Sequence, residues 1–294
     1  MTSSLGMGYL YHRQVHLSIG MWYDVMDEWE QKGNISNMHN DLFSIWGLTV
    51  HSYGLMIALG VAAALAVGML RARRSGLNSE TVLDIALLGV VLGFIGAKIL
   101  YVIIELPTIL RNPVEILSGN GFVVYGGIIS GVLAAIVYCR RKKCEFKRYL
   151  DLLIPSVALA QGFGRIGCFL AGCCYGCPTT SWWGVTFPAG GIAPAGIPLI
   201  PTQLISAGGD FLLAAVLILF SRHAKRSGDV GAAYLVLYGI GRFLIEFLRN
   251  DERGSVSLLS TSQFISLFIL VGGVVLFWSN FHRGRKEVPS KSSL

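Results

Sequence analysis

Charge is scarce in this sequence. Only 14% of the residues are Asp, Glu, Lys or Arg, against about 25% in an ordinary soluble domain, and the mean hydropathy is +0.59. A chain this poor in charge cannot cover a globular surface with solvated groups, so composition argues against a soluble protein and for one that crosses a bilayer several times. Histidine is also sparse, and all six (His12, His16, His39, His51, His223 and His282) fall outside the apolar runs or at their edges. An imidazole base inside the membrane is thereby excluded. There is no HExxH and no glycine-rich phosphate loop opening a helix after a strand, so neither a zinc hydrolase nor a nucleotide site is signalled. Residues 1–40 lack an apolar core long enough for a signal peptide, and no tandem repeat or low-complexity linker breaks the chain. The net charge of +7 does not indicate a nucleic-acid partner, because the basic residues come in short clusters between apolar runs, the pattern that sets membrane topology.

Seven apolar runs are present, at roughly 53–70, 82–104, 121–139, 150–170, 203–221, 230–248 and 261–279. Each is near the ~20 residues needed to cross a bilayer core. Of the 24 Lys and Arg, 16 lie on the side that holds Arg71, Arg73, Arg74, the run 140–148, the cluster 222–226 and the C-terminal tail, and five lie on the other side. Basic residues concentrate in the cytoplasm. The sequence therefore predicts an all-α polytopic membrane protein with seven transmembrane helices, the N-terminus outside and the C-terminus cytoplasmic. Three regions are expected: an extracytoplasmic arm over 1–49, the membrane domain over 50–280 and a basic tail over 281–294.

Three basic residues, Lys98, Arg165 and Arg242, fall inside spans. An ionised group there costs about 2.5–3.5 kcal/mol on insertion scales and usually faces a partner or a polar cavity. In GIGRFLIEFLRNDERG, residues 239–254, Arg242, Glu246 and Arg249 follow at i, i+4 and i+7, so one helix face is expected to carry all three. Glu246 can hold Arg242 in place while the face keeps a net positive charge; the simpler reading is an ion pair that only locks helices together. Arg165 lies late in the fourth span and Arg242 late in the sixth. Both spans run outward, so both arginines are expected in the outer half of the membrane. A guanidinium forks onto phosphate oxygens, and two of them there suggest a phospholipid head group. By contrast, Glu80, Asp84 and Asp151 lie near cytoplasmic span ends, where helix starts favour acidic groups.

Four of the six cysteines fall in GRIGCFLAGCCYGC, residues 164–177. Cys168, Cys173, Cys174 and Cys177 admit three readings: small packing residues, an extracytoplasmic disulfide among 173, 174 and 177, or metal or redox chemistry. Cys168 is expected one turn before Cys173 on the same helix, provided that the helix lasts that far. Trp182 and Trp183 read as interfacial anchors, and PAGGIAPAGIPLIP, residues 188–201, as a loop or an arm over substrate.

In this setting GRIG at 164–167 resembles the signature of the prolipoprotein diacylglyceryl transferase family. The Ser52-Tyr53-Gly54-Leu55 opening of the first span, the GAK of 96–98 with Tyr101 in the second, Tyr125-Gly126-Gly127 in the third, PTQL at 201–204 and YGIGRFLIEFLR at 238–249 extend the likeness in the same order. The resemblance covers about 50–280. It implies transfer of a diacylglyceryl group from phosphatidylglycerol to the lipobox cysteine of a prolipoprotein, with release of glycerol phosphate, in the bacterial cytoplasmic membrane. It implies Arg165 and Arg242 as the essential arginines. Tyr53, Lys98, Tyr101, Gly126, Gly127, Tyr238, Glu246 and Arg249 would contact lipid or the prolipoprotein signal peptide. No metal or cofactor is expected to be required. Family members commonly have His-Gly-Gly where this chain has Tyr125-Gly126-Gly127, an Asn at the position of Cys168, a Glu at that of Cys173 and an arginine at that of Lys98. Tyr125 is the remaining candidate to take or relay the acceptor thiol's proton, though a phenol of pKa about 10 is a poor base at neutral pH. A thiol-redox or metal-binding membrane protein and a non-catalytic phospholipid-binding relative remain as alternatives.

Overall fold

Among the described residues, seven helices are long and apolar enough to cross a membrane, and a helix is the one open-ended structure that satisfies its own backbone there. The computed structural model describes residues 41–45, 48–117, 121–189, 192–251, 255–256 and 259–286. Of the expected arm over 1–49, residues 1–40, 46 and 47 lie outside the described residues, as does the tail from 287 onward. After a hairpin of β1 (Asp41–Ile45) and β2 (Leu48–His51) come α1 (Ser52–Arg74), α2 (Ser79–Ile104) and the short α3 (Leu106–Arg111). They are followed by α4 (Val124–Arg141), α5 (Phe146–Leu170), a two-residue pair β3 (Val185–Thr186) with β4 (Pro198–Leu199), α6 (Thr202–Ser221) and α7 (Asp229–Ile245). The chain closes with a second short pair, β5 (Ser255–Val256) with β6 (Leu259–Ser260), and α8 (Thr261–Lys286). The seven spans are α1, α2 and α4 to α8, the α7 span continuing through a 3-10 turn to Leu248.

Helix ends follow local chemistry. The Asn78 side chain accepts from the Glu80 amide at 2.8 Å to start α2. Both α1 and α4 end on arginines (Arg71, Arg73 and Arg74; Arg140 and Arg141), where cations meet the negative end of the helix dipole. The start of α7 is satisfied from another helix: Asp151 of α5 accepts from the Gly228 amide at 2.6 Å and the Gly231 amide at 2.8 Å. Asn280 of α8 donates to Asp229 at 3.2 Å and accepts from Lys147 at 2.9 Å. Of the acids read as helix starts, Glu80 lies in a first turn, whereas Asp84 accepts from the Tyr138 hydroxyl at 2.5 Å and Asp151 caps a different helix.

The chain divides into two compact units. The larger comprises 56–164, 206–246 and 253–294. Within it α2 and α4 approach so closely that a Cβ on Gly126 would collide with the Gly96 carbonyl, and Ser130 of α4 donates to Leu92 O of α2 at 2.9 Å. Small residues and a hydroxyl at a helix contact are what a membrane interface uses in place of a hydrophobic driving force. The α7–α8 contact is similar: a Cβ on Gly239 would meet the Ser266 carbonyl at 3.1 Å. Its buried clusters are Ala72, Val82, Ile85, Cys139, Tyr149 and Leu152, and Ala158, Leu213, Ala214, Leu217, Val230 and Tyr234. Val91, Phe94, Ile95, Ile99 and Ile103 of α2 are left exposed, as a lipid-facing surface requires.

The smaller unit comprises 1–55, 165–205 and 247–252. Its described part is organised on the segment 175–177. The Ile200 amide donates to Cys177 O and the Gly176 amide to Ile200 O, at 2.9 and 3.1 Å. On the other side the Cys177 amide donates to Leu248 O at 2.9 Å and the Asn250 amide to Tyr175 O at 3.2 Å. Gly176 is required by this double pairing, because a Cβ there would lie 2.6 Å from Ile200 O and 2.7 Å from Leu248 O. The run 188–201, expected as a loop, contributes Ala193 and Leu199 to a small core around the 1%-exposed Phe187.

Candidate functional site

In the smaller unit Arg165 sits in the last turns of α5, half-buried. The helix stops at Leu170, so Cys173 is not on it, contrary to the expectation from spacing. What joins the two cysteines is the helix terminator. Gly172 adopts φ +64, its amide donates to Phe169 O at 3.1 Å and the Cys173 amide donates to Cys168 O at 3.0 Å. This is a Schellman cap, which folds the residue after the left-handed glycine back onto the helix three places before its cap. Cys174 follows at φ +63, unusual for a residue with a side chain. The sulfurs of Cys168, Cys173 and Cys174 lie within 4.8 Å of one another. Thr202 Oγ1 donates to Cys174 O at 2.8 Å and Gln203 Nε2 to Cys173 O at 2.7 Å, and both of these residues are buried. None of the six cysteines is in a disulfide.

Arg249 does not continue the face of Arg242 and Glu246. The helix tightens to a 3-10 turn over Glu246–Leu248 and Arg249 lies beyond it. Its buried guanidinium forks onto Asp251, Nε to Oδ1 at 2.9 Å and Nη2 to Oδ2 at 2.8 Å, and it also hydrogen-bonds the Cys174 thiol. Hydrogen bonds with Cys168 and Cys173, with the Arg249 charge behind them, hold the Cys174 thiol far below its ordinary value. Hydrogen bonds with Cys168 and Cys174 push Cys173 up. Tyr53, at the start of α1, is close enough to interact electrostatically with Arg165 and all three thiols. Cys177 stands apart, its thiol directed at Arg249 O at 3.7 Å.

In the larger unit the last turn of α7 presents Arg242, with a side chain 12% exposed. Nη1 pairs with Glu246 Oε2 at 2.9 Å, the i+4 contact expected from sequence, and Nη2 donates to Ser262 Oγ at 2.8 Å. The second Glu246 oxygen accepts from Ser260 Oγ at 2.9 Å. Ser260, just before α8, and Ser262, in its first turn, thus orient both members of the pair, and a guanidinium fixed by Glu246 and Ser262 is a preorganised anion-binding group. One turn earlier, Tyr238 stacks on Tyr234 with ring centroids 5.4 Å apart, and the Tyr234 hydroxyl donates to Gln161 at 2.9 Å. Buried Asp210 of α6 interacts electrostatically with Tyr234. Asp210 was not singled out from sequence, although an acid within the apolar run TQLISAGGDFLLAAVLILFS is the signal that could have found it.

Five further candidates are also in the larger unit. Lys98 lies 5.1 Å from the Tyr101 ring centroid and 5.0 Å from that of Phe122, a cation–π setting that stabilises a charge in an apolar region. Tyr101 packs on Gly121, which is at φ +79. Tyr125, in the first turn of α4, is exposed, and Gly126 and Gly127 face the backbone of α2, so close helix packing accounts for both glycines. A groove of about 620 Å³ between α6, α7 and α8, lined by residues such as Leu217, Val236, Phe277 and Trp278, is wholly apolar. It suits hydrocarbon and offers no group for chemistry.

The chain matches the family described as prolipoprotein diacylglyceryl transferase over residues 40–279. It is 50% identical to the phosphatidylglycerol–prolipoprotein diacylglyceryl transferase of Clostridium tetani, across 84% of this chain and 98% of the relative. It is 48% identical to the Clostridium perfringens protein of that name numbered 2, across 85% and 98%, and 31% identical to the Staphylococcus carnosus protein of the same name, across 88% and 95%.

Proposed function

The chain belongs to the prolipoprotein diacylglyceryl transferase family, and on that premise we propose that it moves the diacylglyceryl group of phosphatidylglycerol onto the lipobox cysteine of a secreted lipoprotein precursor. The acceptor sulfur, as thiolate, attacks the glycerol carbon that bears the phosphodiester. A carbon–sulfur bond forms, the carbon–oxygen bond breaks, and its electron pair leaves on glycerol phosphate. The product is a thioether. An unperturbed thiol has a pKa of about 8.5, so the reaction gains from any cation that favours the thiolate and from any that neutralises charge growing on the phosphate.

Arg242 and Arg165 are the cations assigned to this work. The observation that supports the reading best is the Arg242 guanidinium, fixed by Glu246 at 2.9 Å and Ser262 at 2.8 Å at the end of a membrane-spanning helix. Glu246 serves as its positioning residue. Tyr53, Lys98, Tyr101, Tyr238 and Arg249 are assigned to binding lipid and the signal peptide, Gly126 and Gly127 to the close α2–α4 contact, and Tyr125 to taking or relaying the thiol proton. The protein works at the outer face of the bacterial cytoplasmic membrane, with the N-terminus outside.

The test is transfer of labelled lipid from phosphatidylglycerol vesicles to a lipobox peptide. Arg165→Ala and Arg242→Ala are each expected to lower the rate by about 10²–10³-fold, the usual cost of removing a charge-stabilising donor, while the protein still inserts. Normal transfer by both variants would overturn the assignment.

A further inference from the structure

The transfer just described needs no metal, and the three clustered thiols have no part in it. We propose that Cys168, Cys173 and Cys174 form a three-thiolate site for one thiophilic divalent cation of the zinc kind, with the fourth coordination position left to solvent. Three sulfurs within 4.8 Å of one another are close to what such an ion demands. At a metal–sulfur distance of about 2.3 Å, ligands in tetrahedral geometry stand about 3.8 Å apart, so side-chain rotation closes the set. Thiolate sulfur also selects zinc-like ions over magnesium or calcium.

The cluster is built by the backbone. The Schellman cap ties the Cys173 amide to Cys168 O, which makes the C-x4-C spacing converge although the helix has ended. The left-handed backbone of Cys174, at φ +63, then turns the next thiol onto the same point. An L-residue is seldom held there. Buried Thr202 and Gln203 clamp the carbonyls of Cys174 and Cys173 at 2.8 and 2.7 Å, so the thiols hang from a fixed frame.

Charge is balanced from the same unit. Three thiolates and one divalent ion carry a net charge of −1, and binding displaces to solvent whatever protons the thiols still hold. Arg165 acts electrostatically on Cys168, and Arg249, forked onto Asp251 at 2.9 and 2.8 Å, hydrogen-bonds the Cys174 sulfur. A donor to a ligating sulfur is the outer-shell contact that orients metal ligands. Cys177 points at Arg249 O, outside the cluster, which is why the fourth position falls to solvent.

The experiment titrates the purified full-length protein, reduced and stripped with chelator, with Cd²⁺ and separately with Zn²⁺, in detergent. One equivalent per chain is expected, with a cadmium–thiolate charge-transfer band in the ultraviolet. Alkylation mapped by mass spectrometry should show Cys168, Cys173 and Cys174 protected when metal is present, and Cys139, Cys144 and Cys177 unchanged. Each of Cys168→Ser, Cys173→Ser and Cys174→Ser should weaken binding at least tenfold. Arg249→Lys should weaken it about 10–100-fold, the usual effect of an outer-shell change, and Cys177→Ser should leave it unchanged. No stoichiometric binding, binding that survives the triple serine variant, or a disulfide among the three cysteines in the protein as isolated would each overturn the proposal. The protection assay uses unmutated protein, so variants that fail to fold do not cloud it. Neither readout passes through lipid transfer, so this site and the transferase assignment fail independently.

Discussion

Removing the Glu246 carboxylate would take from Arg242 an ion pair at 2.9 Å, with the two side chains 12% and 6% exposed. Breaking a pair that deeply placed costs about 3–5 kcal/mol, mostly because the remaining charge has lost its counterpart. Glu246→Ala is therefore expected to lower the midpoint of thermal unfolding in detergent beyond Ser260→Ala, which loses the hydrogen bond it donates to Glu246 and the one it accepts from the Gln263 amide, each worth about 1 kcal/mol. Arg242→Lys tests geometry in place of charge. A lysine keeps the positive charge but cannot hold Glu246, Ser262 and a phosphate in one planar fork, so transfer should fall by at least tenfold with KM little altered. Wild-type kinetics in that variant would show that charge alone suffices. At this scale the sequence was informative where partners are local: the i, i+4 contact between Arg242 and Glu246 is a helix repeat. It was uninformative about Arg249, whose partner Asp251 is reached only because the helix tightens over Glu246–Leu248.

Helix contacts give sharper tests than single side chains, because a glycine of α4 and one of α2 meet different surroundings. A Cβ on Gly126 collides with the Gly96 backbone, whereas one on Gly89 meets nothing within 4 Å. Gly126→Ala should destabilise by about 1–3 kcal/mol, as overpacking does. Gly89→Ala should be neutral or stabilising, since alanine is the better helix former by about 1 kcal/mol. Paired thermal unfolding of the two variants checks this, and equal behaviour would remove the packing account of the Gly126-Gly127 pair. Asp151→Ala leaves the Gly228 and Gly231 amides of α7 without their acceptor and should cost about 0.5–2 kcal/mol, the range for a lost helix cap. Element positions were legible beforehand because each span is a run of local hydropathy. The service Asp151 renders to α7 was not, because capping groups recruited from a different helix leave no pattern in the sequence near the helix they cap.

Across the whole molecule, the distribution of Lys and Arg makes the topology testable. With 16 of 24 on one side, an impermeant maleimide applied to intact cells should label a cysteine placed at the exposed Trp182 and should miss Cys139 and Cys144 unless the membrane is opened. Labelling in the reverse sense would invert the assigned orientation and move both arginines to the inner face. By itself the sequence determined the membrane class, the seven spans and the family, because a bilayer imposes one length and one backbone solution on any segment that crosses it. Tertiary structure alone decided which groups meet. Thiols separated by a helix end converge through a left-handed turn, α2 and α4 touch through glycines, and Asp151 reaches across to α7. Such pairings depend on where a chain bends and on what else packs beside it, and these are long-range properties that neither periodicity nor composition encodes.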